Sequence, residues 1–228
     1  MKSHPTVAFF DLDHTLLPAD SDHGWGAFLV ANAYVDADYY QRKNDEFYGH
    51  YQAGTLDIAE YCAFSFQVLA DNDMATLRRW HAQFMAQTIT PVIRPEAIAL
   101  VQKHKDAGHI PVLISATNEF VITPIGVALG FEHIIGTTPE LIDGRYTGRV
   151  TGTPSFREGK ITRVQAWLSE QGHADLNDLT GCFFYSDSIN DLPLLEKVAF
   201  PVATNPDTRL TELALARQWP VLQLFHNT

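Results

Sequence analysis

The stretch Thr6-Val7-Ala8-Phe9-Phe10-Asp11-Leu12-Asp13-His14-Thr15 decides how the rest of the chain is read. An unbroken apolar run meets two carboxylates. Apolar residues without polar alternation are the pattern of a strand buried on both faces of a parallel sheet. Acids at the carboxyl end of such a strand stand where open α/β sheets place their ligands. A D-x-D-x-T string arises by chance in only roughly a few per cent of chains of this length and composition. Taken alone, its acids could equally cap the helix that follows.

Working outward, similar runs recur at Ile110–Ile114, His133–Ile135, Cys182–Tyr185 and Ala199–Ala203. Helical patterns lie between them. One starts at Pro95 and ends near Gly108, with proline inside the start and glycine past the end. A second carries Ile161, Val164, Trp167 and Leu168 between Lys160 and Gln171 and stops at Gly172; a third runs from Asp207 to Gln218. Strand and helix in alternation predict a doubly wound, Rossmann-like parallel sheet.

The alternation lapses between Pro18 and Thr90. Apolar positions there follow helical spacing, as in Leu77, Trp80, His81, Phe84 and Met85 behind a capping Asp73. Six of the eight tyrosines (Tyr34, Tyr39, Tyr40, Tyr48, Tyr51, Tyr61) and ten acids against four bases fall in this stretch. We read residues 18–90 as an all-helical cap domain inserted into a catalytic core made of residues 1–17 and 91–228. A second insertion around Asp143-Gly144, followed by Tyr, Thr and Val, predicts a short β-hairpin.

The chain of 228 residues is 46% hydrophobic with a formal net charge of −11. Such a composition supports a buried core, and an acidic surplus opposes binding to a nucleic acid backbone, which requires a basic stripe. No window is apolar for the 18 residues a membrane helix needs, and the apolar run after Met1-Lys2-Ser3-His4-Pro5 meets Asp11 too early for a leader. Cys62 and Cys182 lie far apart with no C-x-x-C, which suits reduced thiols in a cytoplasm.

Three more segments end strands or open helices. Ser115-Ala116-Thr117-Asn118 offers a hydroxyl and free N–H groups to an anion, although a Ser or Thr there is also an ordinary cap. Lys160 stands in the first turn of a helix, where a cation is disfavoured unless an anion answers it. Ser186-Asp187-Ser188-Ile189-Asn190-Asp191 supplies two further acids after a strand. Paired carboxylates at one sheet edge raise each other's pKa unless a cation sits between them, and oxygen donors of this kind suit Mg²⁺.

In these four segments the sequence resembles the haloacid dehalogenase superfamily, and its phosphoserine-phosphatase-like branch (subfamily IB) with a helical cap. Asp11-Leu12-Asp13-His14-Thr15, Ser115-Ala116-Thr117, Lys160 and Ser186-Asp187-Ser188 with Asp191 match its four motifs in order. The resemblance implies a Mg²⁺-dependent phosphomonoester hydrolase with Asp11 as nucleophile, Asp13 as general acid and base, and Lys160 as a further catalytic residue. It implies phosphate binding by Ser115, Ala116, Lys160 and Asn190, a metal held by Asp11, Asp187 and the backbone carbonyl of Asp13, and support from Thr15 and Asp191. Ser186 departs from the glycine common in relatives.

Phosphoserine phosphatases hold the substrate carboxylate with a cap arginine, and Thr55–Tyr61 contains none. The bases Arg42, Lys43, Arg78 and Arg79 have no assigned direction. An acidic, tyrosine-rich cap suits a neutral or cationic tail, so candidate substrates are amino-alcohol phosphates such as histidinol phosphate, with phosphoserine beside them. His14, His23 and His50 lack the paired spacing of metal ligands and are read as surface or pocket-lining residues. The alternatives are a phosphotransferase or phosphomutase, which shares the first half-reaction, and a receiver-type phosphoacceptor, whose acidic pair is adjacent rather than straddling a residue.

Overall fold

The computed structural model describes residues 6–225; the leader reading of Met1–Pro5 lies outside them. The strand ahead of the acids is β1 (Val7–Phe10), with every residue fully buried. Its side chains divide by the two-residue period of a strand. Ala8 and Phe10 enter one apolar cluster and Val7 and Phe9 another, on opposite faces of the sheet.

Four helices follow β1: α1 (Ser21–Ala31), α2 (Ala37–Ala53), α3 (Ile58–Asp71) and α4 (Met74–Phe84). An aspartate precedes each. Asp20, Asp36, Asp57 and Asp73 all accept main-chain N–H groups of the first turn, so one residue type sets four helix starts. A π-helical turn at Met85–Ile89 and a short 3₁₀ turn close the helical stretch at Val92. Trp25, Phe28, Leu77 and Phe84 pack in the same apolar cluster as Phe10 and Leu113 of the sheet. Burial of each such side chain contributes roughly 1.5–3 kcal/mol, so α1 and α4 are bound to the sheet by apolar contact.

The chain then alternates: α5 (Pro95–Asp106), β2 (Ile110–Asn118), α6 (Glu119–Ala128), β3 (His133–Ile142), β4 (Arg145–Thr151), α7 (Glu158–Glu170), β5 (Cys182–Ser186), α8 (Leu192–Leu195), β6 (Phe200–Thr204), α9 (Thr208–Ala216) and β7 (Val221–Leu222). The sheet order is β4-β3-β2-β1-β5-β6-β7, and all neighbours are parallel except β3 and β4. This is the doubly wound α/β architecture expected. Strand β1 lies between β2 and β5, where the chain changes direction across the sheet, the switch point at which such folds form their crevice.

Two details differ from the sequence reading. The hairpin around Asp143-Gly144 is no separate insertion: β3 runs on from the core to Ile142, and β4 returns antiparallel as the edge of the same sheet. A polar stretch, Thr137-Thr138-Pro139-Glu140, hid that extension, because beyond Thr137 β3 pairs with β4 alone and such a two-stranded ribbon needs no continuous apolar run. The two-residue β7 was not anticipated; it is too short to leave a pattern.

Candidate active site

The carboxyl ends of β1, β2 and β5 bring together the residues singled out from sequence. Asp11 leaves β1 with its main-chain N–H bonded to the carbonyl of Tyr185 at 2.9 Å, which fixes it against the end of β5. Its Oδ1 accepts from Lys160 Nζ at 2.8 Å and its Oδ2 from the Thr15 hydroxyl at 3.1 Å. Both oxygens are thus oriented before any ligand arrives.

Lys160 is 2% exposed in the first turn of α7. A second bond to Asp191 Oδ2, at 2.7 Å, places its ammonium between two buried carboxylates. Burial alone would lower the lysine pKa, but Asp11 and Asp191 outweigh it and the net shift is upward, so the lysine stays charged. These acids answer the cation that the helix N-terminus disfavours. Gly159, just before it, makes that approach feasible: a Cβ there would stand 2.1 Å from the Pro154 carbonyl oxygen.

Ser186, where glycine is usual, uses its hydroxyl. It donates to Asp191 Oδ2 at 2.7 Å and accepts from the Ser188 N–H at 3.2 Å, tying the turn after β5 to the ion pair.

Asp187 lies beside Asp11. The Thr15 hydroxyl is 3.2 Å from Asp187 Oδ1 and accepts from the Asp187 N–H at 3.0 Å, so one threonine links the two acids. Burial pushes the Asp11 carboxyl up to about 6 against the pull of Lys160. Burial, then Asp11 and Asp191, push Asp187 well above the usual carboxylate range. Two convergent acids, of which Asp11 raises Asp187, fit a hard divalent cation bound between them. Among the described residues no three His, Cys, Asp or Glu side chains are grouped as a metal cage. A cation here would rest on Asp11 and Asp187 with main-chain and water oxygens, a donor set typical of Mg²⁺.

Asp13 points elsewhere. Its Oδ1 accepts from the Ser21 N–H at 2.6 Å and its Oδ2 from the Thr117 hydroxyl at 3.1 Å. Burial, followed by Asp20, raises it well above the ordinary value. Ser115, Ala116 and Thr117 line the same cavity as Asp11 and Asp13. Asn190 does not line that cavity: its amide donates to the Tyr51 carbonyl at 3.2 Å and faces a neighbouring cleft.

The cavity, about 50 Å³ in volume, runs from Asp11 and Asp13 to a wall made by α1, α2 and the start of α3. That wall holds Asp20, Asp22, His23, Tyr48, Tyr51 and Tyr61, and the lining contains no lysine or arginine. Asp20 is committed to its helix, accepting from the N–H groups of Asp22 and His23. Asp22 keeps its carboxylate for the cavity, with the Tyr61 hydroxyl as partner; burial pushes it up to about 7. Sequence reasoning saw the acidity of this region and missed these two aspartates, since nothing in helical spacing tells which face turns to a distant sheet edge.

Of the histidines, His23 binds Asp45 at 2.9 Å and stacks near Tyr48, His50 meets the Thr55 hydroxyl at 3.0 Å, and His14 lines the neighbouring cleft. The end of α2 meets the core through main-chain carbonyls. Those of Tyr51, Gln52 and Gly54 accept from Asn190, Arg209 and Arg157 respectively. Arg157 holds φ 50°, a left-handed conformation uncommon outside glycine, at the start of α7.

Comparison with known proteins identifies the family. The model of the haloacid dehalogenase-like hydrolases matches residues 8–196. A histidinol-phosphatase of Neisseria meningitidis is 48% identical over 217 residues, covering 95% of this chain and 97% of that protein. A phosphoserine phosphatase of Mycobacterium tuberculosis is 32% identical over 220 residues, covering 94% of this chain and 70% of that one. Among solved structures, a protein of unknown function from Bordetella pertussis Tohama I superposes with a TM-score of 0.91 at 46% identity, over 98% of this chain and 100% of that one. A phosphoserine phosphatase solved as an analogue of its phospho-aspartyl intermediate gives 0.68 at 15% identity, over 99% and 96%, which is a likeness of fold.

Proposed function

The chain belongs to the haloacid dehalogenase-like hydrolases, and from that premise we propose that it hydrolyses the phosphomonoester of a small amino alcohol, with histidinol phosphate the best candidate. The observation that carries this reading is the single cavity joining Asp11 and Asp13 to a wall of carboxylates and tyrosines without a lysine or arginine. A substrate whose leaving alcohol bears an ammonium group finds opposite charge there. Phosphoserine carries the same ammonium but adds a carboxylate, which this wall repels. The naming of the Neisseria relative as a histidinol-phosphatase supports the same choice.

In this mechanism Asp11, held by Lys160 and Thr15, attacks phosphorus in line and becomes an aspartyl-phosphate, so that one displacement is split into two. Asp13 gives its proton to the departing alkoxide and then takes one from the attacking water, the reversal that general acid–base catalysis asks of a group serving both steps. Lys160, the Ser115 hydroxyl and the N–H of Ala116 bind the phosphoryl oxygens. Asn190 reaches phosphate only by leaving its bond to Tyr51. Asp191 holds Lys160, and Thr15 aligns the acids. A Mg²⁺ ion held by Asp11, Asp187 and the Asp13 carbonyl would neutralise phosphoryl charge.

Residues 18–90 serve as the cap that closes the alcohol end, over a core of residues 1–17 and 91–228. No described helix is long and apolar enough to cross a membrane. The free, buried thiols of Cys62 and Cys182 suit the cytoplasm, and the partner is a small molecule rather than nucleic acid.

The test is phosphate release, with and without Mg²⁺, from histidinol phosphate, phosphoserine and an aryl phosphate. Histidinol phosphate is expected to have at least a tenfold higher kcat/KM than phosphoserine. Asp11→Asn is expected to abolish turnover of all three, a loss on the order of 10⁴-fold or more. Equal or better turnover of phosphoserine overturns the substrate class. A stable phospho-enzyme with no phosphate released points instead to transfer.

A further inference from the structure

We infer that the side-chain oxygen of Asn44 accepts the ring N–H of the substrate's alcohol tail, so that the cavity selects a flat N–H heterocycle as well as an ammonium. The inference rests on the phosphomonoesterase reading proposed above and deepens its substrate class.

Asn44 lies in α2, on the face that also carries Phe47, Tyr48 and Tyr51 into the cavity. Spacings of three, four and seven keep these residues on one side of a helix. An amide among rings is costly to bury unless its polar atoms are bonded. Asn44 is 4% exposed, and one end of its amide is settled: the nitrogen donates to the main-chain carbonyl of His23 in α1 at 3.0 Å. A carbonyl only accepts, so the atom facing it must be the nitrogen and the opposite atom must be the oxygen. That oxygen, Oδ1, receives no hydrogen bond from any described residue, yet it is not sealed from solvent. The surface it keeps opens on the cavity that Asn44 lines. It is an acceptor without a donor, turned to the space where the substrate's tail must lie.

Gly26 gives this amide its place. A Cβ at Gly26 would stand 2.5 Å from Asn44 Oδ1 and 2.6 Å from its amide carbon and nitrogen. A glycine in α1 therefore lets the amide come this close while its nitrogen stays on His23.

The rest of the lining states what the oxygen would accept. Asp22 offers the cavity a carboxylate, the partner for an ammonium. Asn44 offers a neutral acceptor, and Phe47, Tyr48, Tyr61, Leu56 and Ile58 supply rings and aliphatic groups in the same wall. A neutral N–H on an aromatic ring meets both demands, with an acceptor for its hydrogen and apolar walls for its faces. Imidazole at pH 8 is such a group, uncharged because its ordinary pKa is about 6.5.

The test is a cycle in which the N–H is deleted from the substrate and the acceptor from the protein. Histidinol phosphate is compared at pH 8 with the analogue carrying thiazole in place of imidazole, a flat ring of similar size without an N–H. Wild type should favour the imidazole ester in kcat/KM by roughly 5- to 50-fold, the worth of one buried neutral hydrogen bond whose loss leaves its acceptor unpaired. Asn44→Leu should shrink that preference to within about twofold. Gly26→Ala keeps Asn44 but drives a methyl against its amide, and should shrink the preference as well. Alanine favours a helix interior over glycine, so this variant answers if Asn44→Leu melts early. An analogue without the amine should lose kcat/KM by the same factor in all three proteins, because Asp22 and not Asn44 holds that group. If both variants keep the preference for imidazole, or the wild type shows none, Asn44 does not read the ring and its oxygen binds only water. If the penalty for removing the amine is the one that vanishes with Asn44, the oxygen serves the ammonium and the inference is overturned. If wild type turns over phosphoserine as well as histidinol phosphate, the substrate class proposed above fails and this inference falls with it.

Discussion

The two ends of the cavity are built on different principles. At the phosphate end, Asp11, Asp191 and Thr15 each make at least two named side-chain hydrogen bonds, Lys160 is almost wholly buried, and the bonds cross between β1, α7 and the turn after β5. At the alcohol end the wall is made of rings and of partly buried acids, with Asp22 partnered by one tyrosine hydroxyl. A reacting group must be held in one geometry for chemistry to proceed. A recognition wall has only to offer shape and charge, so its residues can be exchanged singly.

The difference sets the order of expected effects. Lys160→Met should be the most damaging change. It leaves Asp11 and Asp191 buried without a counter-ion, and breaking a buried pair of this kind costs about 3–5 kcal/mol. At roughly 2–4 °C per kcal/mol for a chain of this size, calorimetry should show a fall in Tm of about 6–20 °C, with turnover of every ester lost together.

Asp22→Asn should break the comparison selectively. Loss of one charged hydrogen bond, about 1.5–3 kcal/mol, predicts a roughly 10- to 100-fold fall in kcat/KM for histidinol phosphate. Turnover of the aryl phosphate should stay within twofold. Equal loss on both esters would place Asp22 in the framework rather than in recognition.

The same residue makes selectivity depend on pH. Asp22 binds an ammonium as carboxylate and titrates near 7 in the folded chain. The ratio of kcat/KM for histidinol phosphate to that for the aryl ester should rise as pH passes upward through about 7 and flatten in Asp22→Asn. Stability moves the other way. The folded pKa exceeds the ordinary carboxylate value of 3.8, so between about 4 and 7 the folded chain holds the proton more tightly than the unfolded one. The contribution is present at low pH and lost as pH rises through 7. Melting scans should therefore show Asp22→Asn gaining on the wild type across that window.

The smallest effect should come from Asp36→Ala, which removes the Oδ1 cap on the Tyr39 N–H at 2.8 Å at the start of α2. A lost cap costs about 1 kcal/mol, or roughly 2–4 °C in Tm. Activity on both esters should be unchanged, because a helix start needs no part in the reaction.

Legibility followed the same division. The alternation of strands and helices and the meeting of Asp11, Asp187, Lys160 and Asp191 could be read because each residue follows a short apolar run or opens a helix, and parallel strands deliver their carboxyl ends to one edge. Lys160 announced itself by being in the wrong place for a cation. Long-range pairing left no such mark: nothing near Thr117 points to Asp13. The faces of α1 and α2 that turn toward the cavity were equally hidden, since helical period fixes which residues share a face but not what that face meets. The polar continuation of β3 and the brief β7 lay below the signal that hydrophobic runs provide.

The junction at the end of α2 carries a last consequence, for evolution. Asn190, Arg209 and Arg157 grip the carbonyls of Tyr51, Gln52 and Gly54, groups that every residue possesses. Docking therefore does not read the side chains of Tyr51 or Gln52, although Gly54, at φ 71°, is restricted by its backbone. Tyr51 and Tyr48 form the wall shared by the cavity and the cleft beside it. Their identities can drift between descendants of one ancestor without unfastening the helix that bears them. New substrate preferences can arise on an unchanged catalytic frame.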